Sequence, residues 1–257
     1  MRGARLELHG LRRTFGGVVA TDNVTLDFTP GTLSAIIGPN GAGKTTLFHL
    51  VSGFLKPTAG RVLLEGEDIT GLDRQDIVRR GIGRAFQMAN LFPSFTVAES
   101  LAAAILTHDQ RTSSLFRTFP PPDIAARAEE VMELCGLDHL AGVQARHLSH
   151  GDQKLLDIAL ALALDPRVLL LDEPTAGMGP DERWRMIERV HALWQAKRMT
   201  LIFIEHDMDI VFRIAQTVRV LRYGAVLAEG TPDEVRRNPA VIEAYLGPEH
   251  ALEAAAR

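Results

Sequence analysis

The stretch Gly38-Pro-Asn-Gly-Ala-Gly-Lys44-Thr45 follows a short apolar run, Leu33–Ile37, and opens a segment from about Lys44 to Phe54 that reads as a helix. Few folds accommodate that order. Glycines let the backbone approach a ligand closely, so successive N–H groups can surround phosphates where a helix begins. Lys44 would neutralise β- and γ-phosphate charge, Thr45 would offer its hydroxyl to Mg²⁺, and Thr46 can donate to a phosphate oxygen. A glycine-rich turn with a solvated lysine could share the pattern. The flanking strand and helix favour a nucleotide loop built from Gly38, Pro39, Asn40, Gly41, Ala42, Gly43, Lys44, Thr45 and Thr46.

A second apolar run, Val168-Leu-Leu-Leu171, ends in Asp172 and Glu173. A buried strand ending in a carboxylate would bring Asp172 beside the phosphate loop, where it can hold Mg²⁺ through water. Glu173 is adjacent along an extended segment and so points elsewhere, which leaves it free to activate an attacking water. Two acids capping a strand is the plainer alternative.

Around these motifs the chain alternates. Strands are expected at Arg5–His9, Val24–Phe28, Arg61–Glu65 and Thr200–Ile204, and at a hairpin of Val218–Arg222 with Ala225–Ala228. Helices are expected at Val97–Leu106, Ile124–Cys135, Asp152–Leu164, Pro180–Ala196 and Asp207–Ile214, with Thr112–Pro122 a loop. Thr231-Pro and Asn238-Pro each place a cap residue before a proline at the first helical position. Parallel strands with crossover helices should surround the phosphate loop, with antiparallel strands at the start and a helical insert at about 90–160.

Composition narrows the function classes. A net charge of −4 supplies no basic footprint for nucleic acid. One cysteine, Cys135, excludes an intramolecular disulfide framework and is expected simply to pack on an apolar helical face. No apolar run approaches the roughly 18–20 residues of a membrane span, and the start lacks the apolar core of a signal peptide. A soluble, cytoplasmic chain is expected, so any membrane role needs another subunit.

Five further segments appear in the order found in ATP-binding cassette (ABC) ATPases, which the chain resembles over most of its length, about residues 1–247, with 248–257 a tail. Gln87 in Arg84-Ala-Phe-Gln resembles the family glutamine that touches Mg²⁺ or the attacking water. Leu148-Ser149-His150-Gly151-Asp152-Gln153 resembles the signature sequence. Glu173-Pro-Thr-Ala-Gly-Met-Gly179 occupies the D-loop place, His206 resembles the switch histidine, and Phe15 sits where a family aromatic stacks on adenine. The resemblance implies an α/β fold: a RecA-like mixed-sheet core, an N-terminal antiparallel β subdomain and an α-helical signature subdomain. It also implies ATP and Mg²⁺ as ligands, with Thr45, Gln87 and Asp172 at the metal and Glu173, His206 and Gln87 in catalysis.

A free helix start beside Gly151 and Ser149 is an anion receptor without a second phosphate loop. In the family it receives the γ-phosphate held by another cassette, so the resemblance implies a head-to-tail dimer, with itself or with a paralogue. Leu91, Phe92 and Phe95, just after Gln87, could dock a short helix of a membrane subunit, or simply pack inside the insert.

The branch most similar is the ATP-binding subunits of branched-chain amino acid importers and their urea or amide relatives. Ser149–Gln153, Ala176-Gly-Met178, Ile204–Met208 and the tail Gly230-Thr-Pro-Asp-Glu-Val to Tyr245-Leu-Gly247 carry that resemblance. It implies permease subunits, a second cassette, a substrate-binding protein and a peripheral place on the cytoplasmic membrane face. Lipopolysaccharide-export ATPases and soluble ABC ATPases are the alternatives. Two positions depart from the common pattern: His150 replaces the usual signature glycine, and Gly179 stands where many cassettes have an aspartate.

Overall fold

The structure, a computed structural model, describes residues 3–85, 93–110 and 119–246. Its centre is a six-stranded sheet ordered β10-β9-β3-β8-β7-β6. These strands are β3 (Leu33–Ile37), β6 (Ile82–Ala85), β7 (Val168–Asp172), β8 (Thr200–Ile204), β9 (Thr217–Arg222) and β10 (Ala225–Gly230). All neighbours are parallel except the β9–β10 hairpin.

The inner strands are apolar on both faces because each face has its own cover. Leu33, Ala35 and Ile37 of β3, Leu169 and Leu171 of β7, and Leu201 and Phe203 of β8 join one core. Their neighbours Ile36, Val168, Leu170, Ile202 and Ile204 join another. The first core continues into three helices, α3 (Val97–His108), α4 (Pro122–Cys135) and α5 (His150–Leu162). The second contains α1 (Lys44–Val51) and the inner face of an antiparallel sheet, β2-β1-β4-β5.

That antiparallel sheet is larger than the sequence pattern suggests. β1 spans Leu6–Phe15 and β2 spans Val18–Phe28, with β4 at Ala59–Leu64 and β5 at Glu67–Asp68. Leu6, Leu8, Leu11, Val24, Leu26 and Phe28 are buried, whereas Phe15, Val18 and Val19 at the far end are exposed. Without a buried face, that end of the hairpin carries no alternation to read. The register also shifts around Gly10, which has φ +58°, as a β-bulge requires.

The remaining elements are α2 (Arg74–Arg79), α6 (Pro180–Lys197), α7 (Met208–Ile214), α8 (Pro232–Arg237) and α9 (Pro239–Leu246). Thr96 and Thr231 each form a capping box, with Glu99 and Glu234, which satisfies orphan N–H groups where α3 and α8 begin. Three strand ends then align: Ile36 of β3 and Asp172 of β7 both pair with Ile204 of β8. Loops leaving β3, β7 and β8 therefore converge at the carboxyl edge of one parallel sheet, the usual place for a ligand in such a fold.

Candidate nucleotide site

The phosphate loop leaves β3 and enters α1 through Gly43, whose φ of +97° and lack of a side-chain cap leave the first helical N–H groups available. The loop is backed closely. A Cβ on Gly38 would run into the Leu221 carbonyl, and one on Gly43 into the Ala20 carbonyl of β2. Gly224, in the β9–β10 turn, donates its N–H to the Ala42 carbonyl at 3.1 Å. The Gly38 backbone also shares a hydrogen bond with the Tyr245 hydroxyl of α9.

Lys44 is buried, and its Nζ donates to the carbonyls of Gly38 at 2.6 Å and Pro39 at 3.1 Å. Burial lowers its pKa, opposed by the nearby charges of Glu173 and Asp172. Thr45 is exposed and Thr46 half-buried.

Across the cleft, Asp172 closes β7 and is held by Arg84 of β6, Nη2 to Oδ2 at 2.7 Å. The chain turns sharply at Glu173, whose φ is +50°. The backbone N–H of Glu173 donates to Ile204 O at 3.0 Å, and its Oε1 lies 2.7 Å from His206 Nε2. Beneath them, buried Glu205 accepts from Thr175 N and Oγ1 at 3.0 and 2.7 Å and from His206 N at 3.2 Å. Lys154 of α5 donates to the Glu173 carbonyl at 2.8 Å. Thr45, Arg84, Lys154, Asp172 and Glu173 share a cleft of about 580 Å³.

The signature residues lie elsewhere. Ser149 caps α5: its Oγ accepts from Asp152 N at 3.1 Å and donates to Asp152 Oδ2 at 2.6 Å. Gly151 is buried against α6, where a Cβ would strike Glu182 Oε1. Gln153 Nε2 donates to Leu148 O at 3.3 Å. His150, the departure from the common signature, has Nε2 3.2 Å from Ala176 O, so its ring touches the segment that follows Glu173. Gly179 begins α6 as its N-cap, ahead of Pro180.

Phe15 is exposed at the end of β1, with the Arg13 guanidinium 4.7 Å from its ring centroid. It rides on the hairpin that carries Ala20, the residue backing Gly43. Gln87, Leu91 and Phe92 lie outside the described residues. Phe95 is half-buried, and its carbonyl accepts from Ala145 N at 2.9 Å.

Comparison with known proteins agrees with this geometry. Residues 21–176 match the family model described as ABC transporter, and residues 225–251 match the one described as branched-chain amino acid ATP-binding cassette transporter. The high-affinity branched-chain amino acid transport ATP-binding protein LivG of Escherichia coli K12 is 40% identical over 250 residues, covering 94% of this chain and 97% of LivG. The chain belongs to that family of ABC transporter ATP-binding proteins.

BraF of Pseudomonas aeruginosa, another branched-chain amino acid transport ATP-binding protein, is 39% identical over the same 94% of the chain and 97% of its own. A nucleotide-free ATP-binding cassette from an ABC transporter superposes with a TM-score of 0.84 at 32% identity, covering 95% of this chain and 100% of that one. A bacterial ABC transporter cassette solved as a dimer gives 0.74 at 26% identity, over 88% and 98% of the two chains. The chain is thus an ABC ATPase cassette, the ATP-binding and ATP-hydrolysing part of a transporter.

The structure brings Asp172, Glu173 and His206 together at one edge of the sheet, beside three partners to which the sequence pattern does not point. In the sequence Arg84 is only a lead-in to Gln87, Glu205 is only part of the histidine segment, and Lys154 is one polar residue of a helix. A charged residue at the end of the apolar run Thr200–Ile204 was the available signal for Glu205; Arg84, in Ile-Gly-Arg-Ala, had none. The oxygen donors at the cleft, the Thr45 hydroxyl and the Asp172 carboxylate, suit Mg²⁺, which binds through one or two protein oxygens together with substrate phosphates.

Proposed function

We propose that the cassette powers uptake of branched-chain or related amino acids, working on permease subunits from the cytoplasmic face of the membrane. Among the described residues no helix is long and apolar enough to cross a bilayer. The observation that carries the chemical part is the Glu173–His206 contact at the mouth of the cleft shared with Thr45 and Asp172. It unites two residues 33 positions apart in the sequence at the carboxyl edge of neighbouring strands.

ATP binds with its phosphates on the N–H groups of Gly38–Thr46, where Lys44 adds a positive charge. Thr45, Asp172 and Gln87 would hold Mg²⁺, which would neutralise phosphate charge. Glu173 accepts a proton from the attacking water, and His206 orients that carboxylate through Nε2. Phe15 supports the adenine. Ser149, His150, Gly151, Asp152 and Gln153 close on the ATP of a second cassette, identical or paralogous, so the ligand joins two chains. A substrate-binding protein delivers cargo to the assembled transporter, and nucleic acid has no part.

The test is isolation from the native membrane in mild detergent, followed by uptake of labelled leucine into vesicles of the recovered complex. Two multi-span subunits, a second cassette and ATP-dependent uptake are expected. Recovery of soluble factors only, or uptake indifferent to ATP, would sink the transport reading.

A further inference from the structure

Arg84 is unusually placed for a charged side chain. It sits on β6, the edge strand beside β7, with its side chain 4% exposed. One arm of the guanidinium, Nη2, meets Asp172 Oδ2 at 2.7 Å; the other, Nη1, donates to Ser52 Oγ at 3.2 Å. Ser52 is the C-cap of α1, the helix that begins at Lys44, and its hydroxyl donates to Phe48 O at 2.6 Å. The rings of Phe48 and Phe54 lie 5.6 and 5.8 Å from the guanidinium carbon. The fork therefore joins the far end of the phosphate-loop helix to the carboxylate at the end of β7.

An ion pair with one partner buried and the other 21% exposed is a poor device for stability alone, because desolvation offsets most of the attraction and apolar side chains of similar volume do as well. Arginine differs from an apolar filler in its rigid planar fork, which fixes the orientation of the carboxylate it binds. Here the second arm is anchored independently on Ser52, so the donor that faces Asp172 Oδ2 is held in place and a carboxylate that turns away loses its 2.7 Å contact. The arrangement has the form of an outer partner that orients a metal-binding carboxylate, whose loss typically costs 10–100-fold in metal affinity.

We propose that Arg84 is a positioning residue for Mg²⁺: it fixes the rotation of the Asp172 carboxylate and balances its charge, so that the metal-dependent part of ATP binding depends on Arg84. This rests on the reading that Asp172 holds Mg²⁺. Arg84 touches neither the reacting phosphate nor the water in this account. Its effect should appear in the metal dependence of binding and not in binding of the metal-free nucleotide.

The experiment uses the full chain as wild type, Arg84→Gln, Arg84→Lys, Ser52→Ala and Asp172→Asn. ATP affinity is measured by calorimetry in EDTA and across a Mg²⁺ series, and Mn²⁺ binding by electron paramagnetic resonance. Arg84→Gln should leave ATP affinity in EDTA within about twofold, while raising half-saturating Mg²⁺ and the Mn²⁺ dissociation constant by about tenfold or more. Arg84→Lys should recover part of that loss, and Ser52→Ala should shift it in the same direction by less. Ser52→Ala and Arg84→Lys carry the test if Arg84→Gln does not fold.

An unchanged Mg²⁺ requirement in folded Arg84→Gln would overturn the proposal, as would an equal loss of affinity with and without metal. If Asp172→Asn keeps the wild-type Mg²⁺ response, the reading of Asp172 itself falls and takes the proposal with it. If Asp172→Asn loses that response while Arg84→Gln keeps it, only the role of Arg84 falls.

Discussion

The nucleotide half and the signature half of the cassette are built on opposite plans. Lys44, Arg84 and Glu205 are buried at or beside the edge of a parallel sheet, and each is held by partners distant in sequence or by the loop's own carbonyls. Ser149 and His150 are exposed at a helix start, and Ser149 is held by its own turn. α5 belongs to the core that includes α3 and α4, whereas α1 belongs to the other core. A site that must keep its shape between ligands is tied into the sheet. On the proposed function, the surface that meets another molecule is left on a helix end, where Ser149 is held by local bonds alone and His150 by one contact to Ala176 O.

The largest test of that contrast is Glu173→Gln. Turnover should fall by about 10²–10⁴ while ATP still binds, because on the proposed mechanism only the proton acceptor is removed; hydrolysis assays beside equilibrium binding check it. Lys44→Ala should act on the opposite quantity. Losing a charge-assisted contact of about 1.5–3 kcal/mol weakens ATP affinity by roughly 10–150-fold, seen in a direct titration of the isolated chain.

Gly151→Ala should separate the two halves most cleanly. Its Cβ would displace only the movable carboxylate end of Glu182, and alanine suits a helix better than glycine by about 1 kcal/mol, so stability should stay near the wild-type value. ATP affinity of the monomer should stay at the wild-type value while hydrolysis drops. A matching loss of monomer affinity would break the comparison. The smallest effect is Ser149→Ala, which removes a helix cap worth about 1 kcal/mol and should lower Tm by about 2–4 °C.

The buried thiol checks how tightly the helical core is closed. Burial pushes the Cys135 pKa up to about 12. The folded state thus holds its proton more firmly than the unfolded chain, so this contribution is intact below about pH 9 and is lost as pH rises toward 12. At neutral pH the native protein should resist thiol reagents and the denatured chain should react promptly.

Much of this was legible in the chain. β3 and β8 fall at Leu33–Ile37 and Thr200–Ile204 as the apolar runs require, and both capped starts in the tail become α8 and α9. The phosphate loop and the Asp172–Glu173 strand end were readable because each couples a hydrophobic period to an abrupt change of residue type. What escaped was held by tertiary contact. β6 reads Ile-Gly-Arg-Ala, with no apolar run, since Gly83 is packed against Pro166 and Arg84 is answered by Asp172. β5 and α2 are too short for a period to develop. The partnership of Glu205 with Thr175 spans 30 positions and two strands, which no local pattern encodes.

The resting place of Lys44 bears on affinity. Its ammonium already satisfies two loop carbonyls, so a phosphate gains only the difference between new contacts and those surrendered. The loop thereby contains a competitor for its own lysine. Such an exchange would hold the affinity gained from Lys44 below that of a lysine with no other partner.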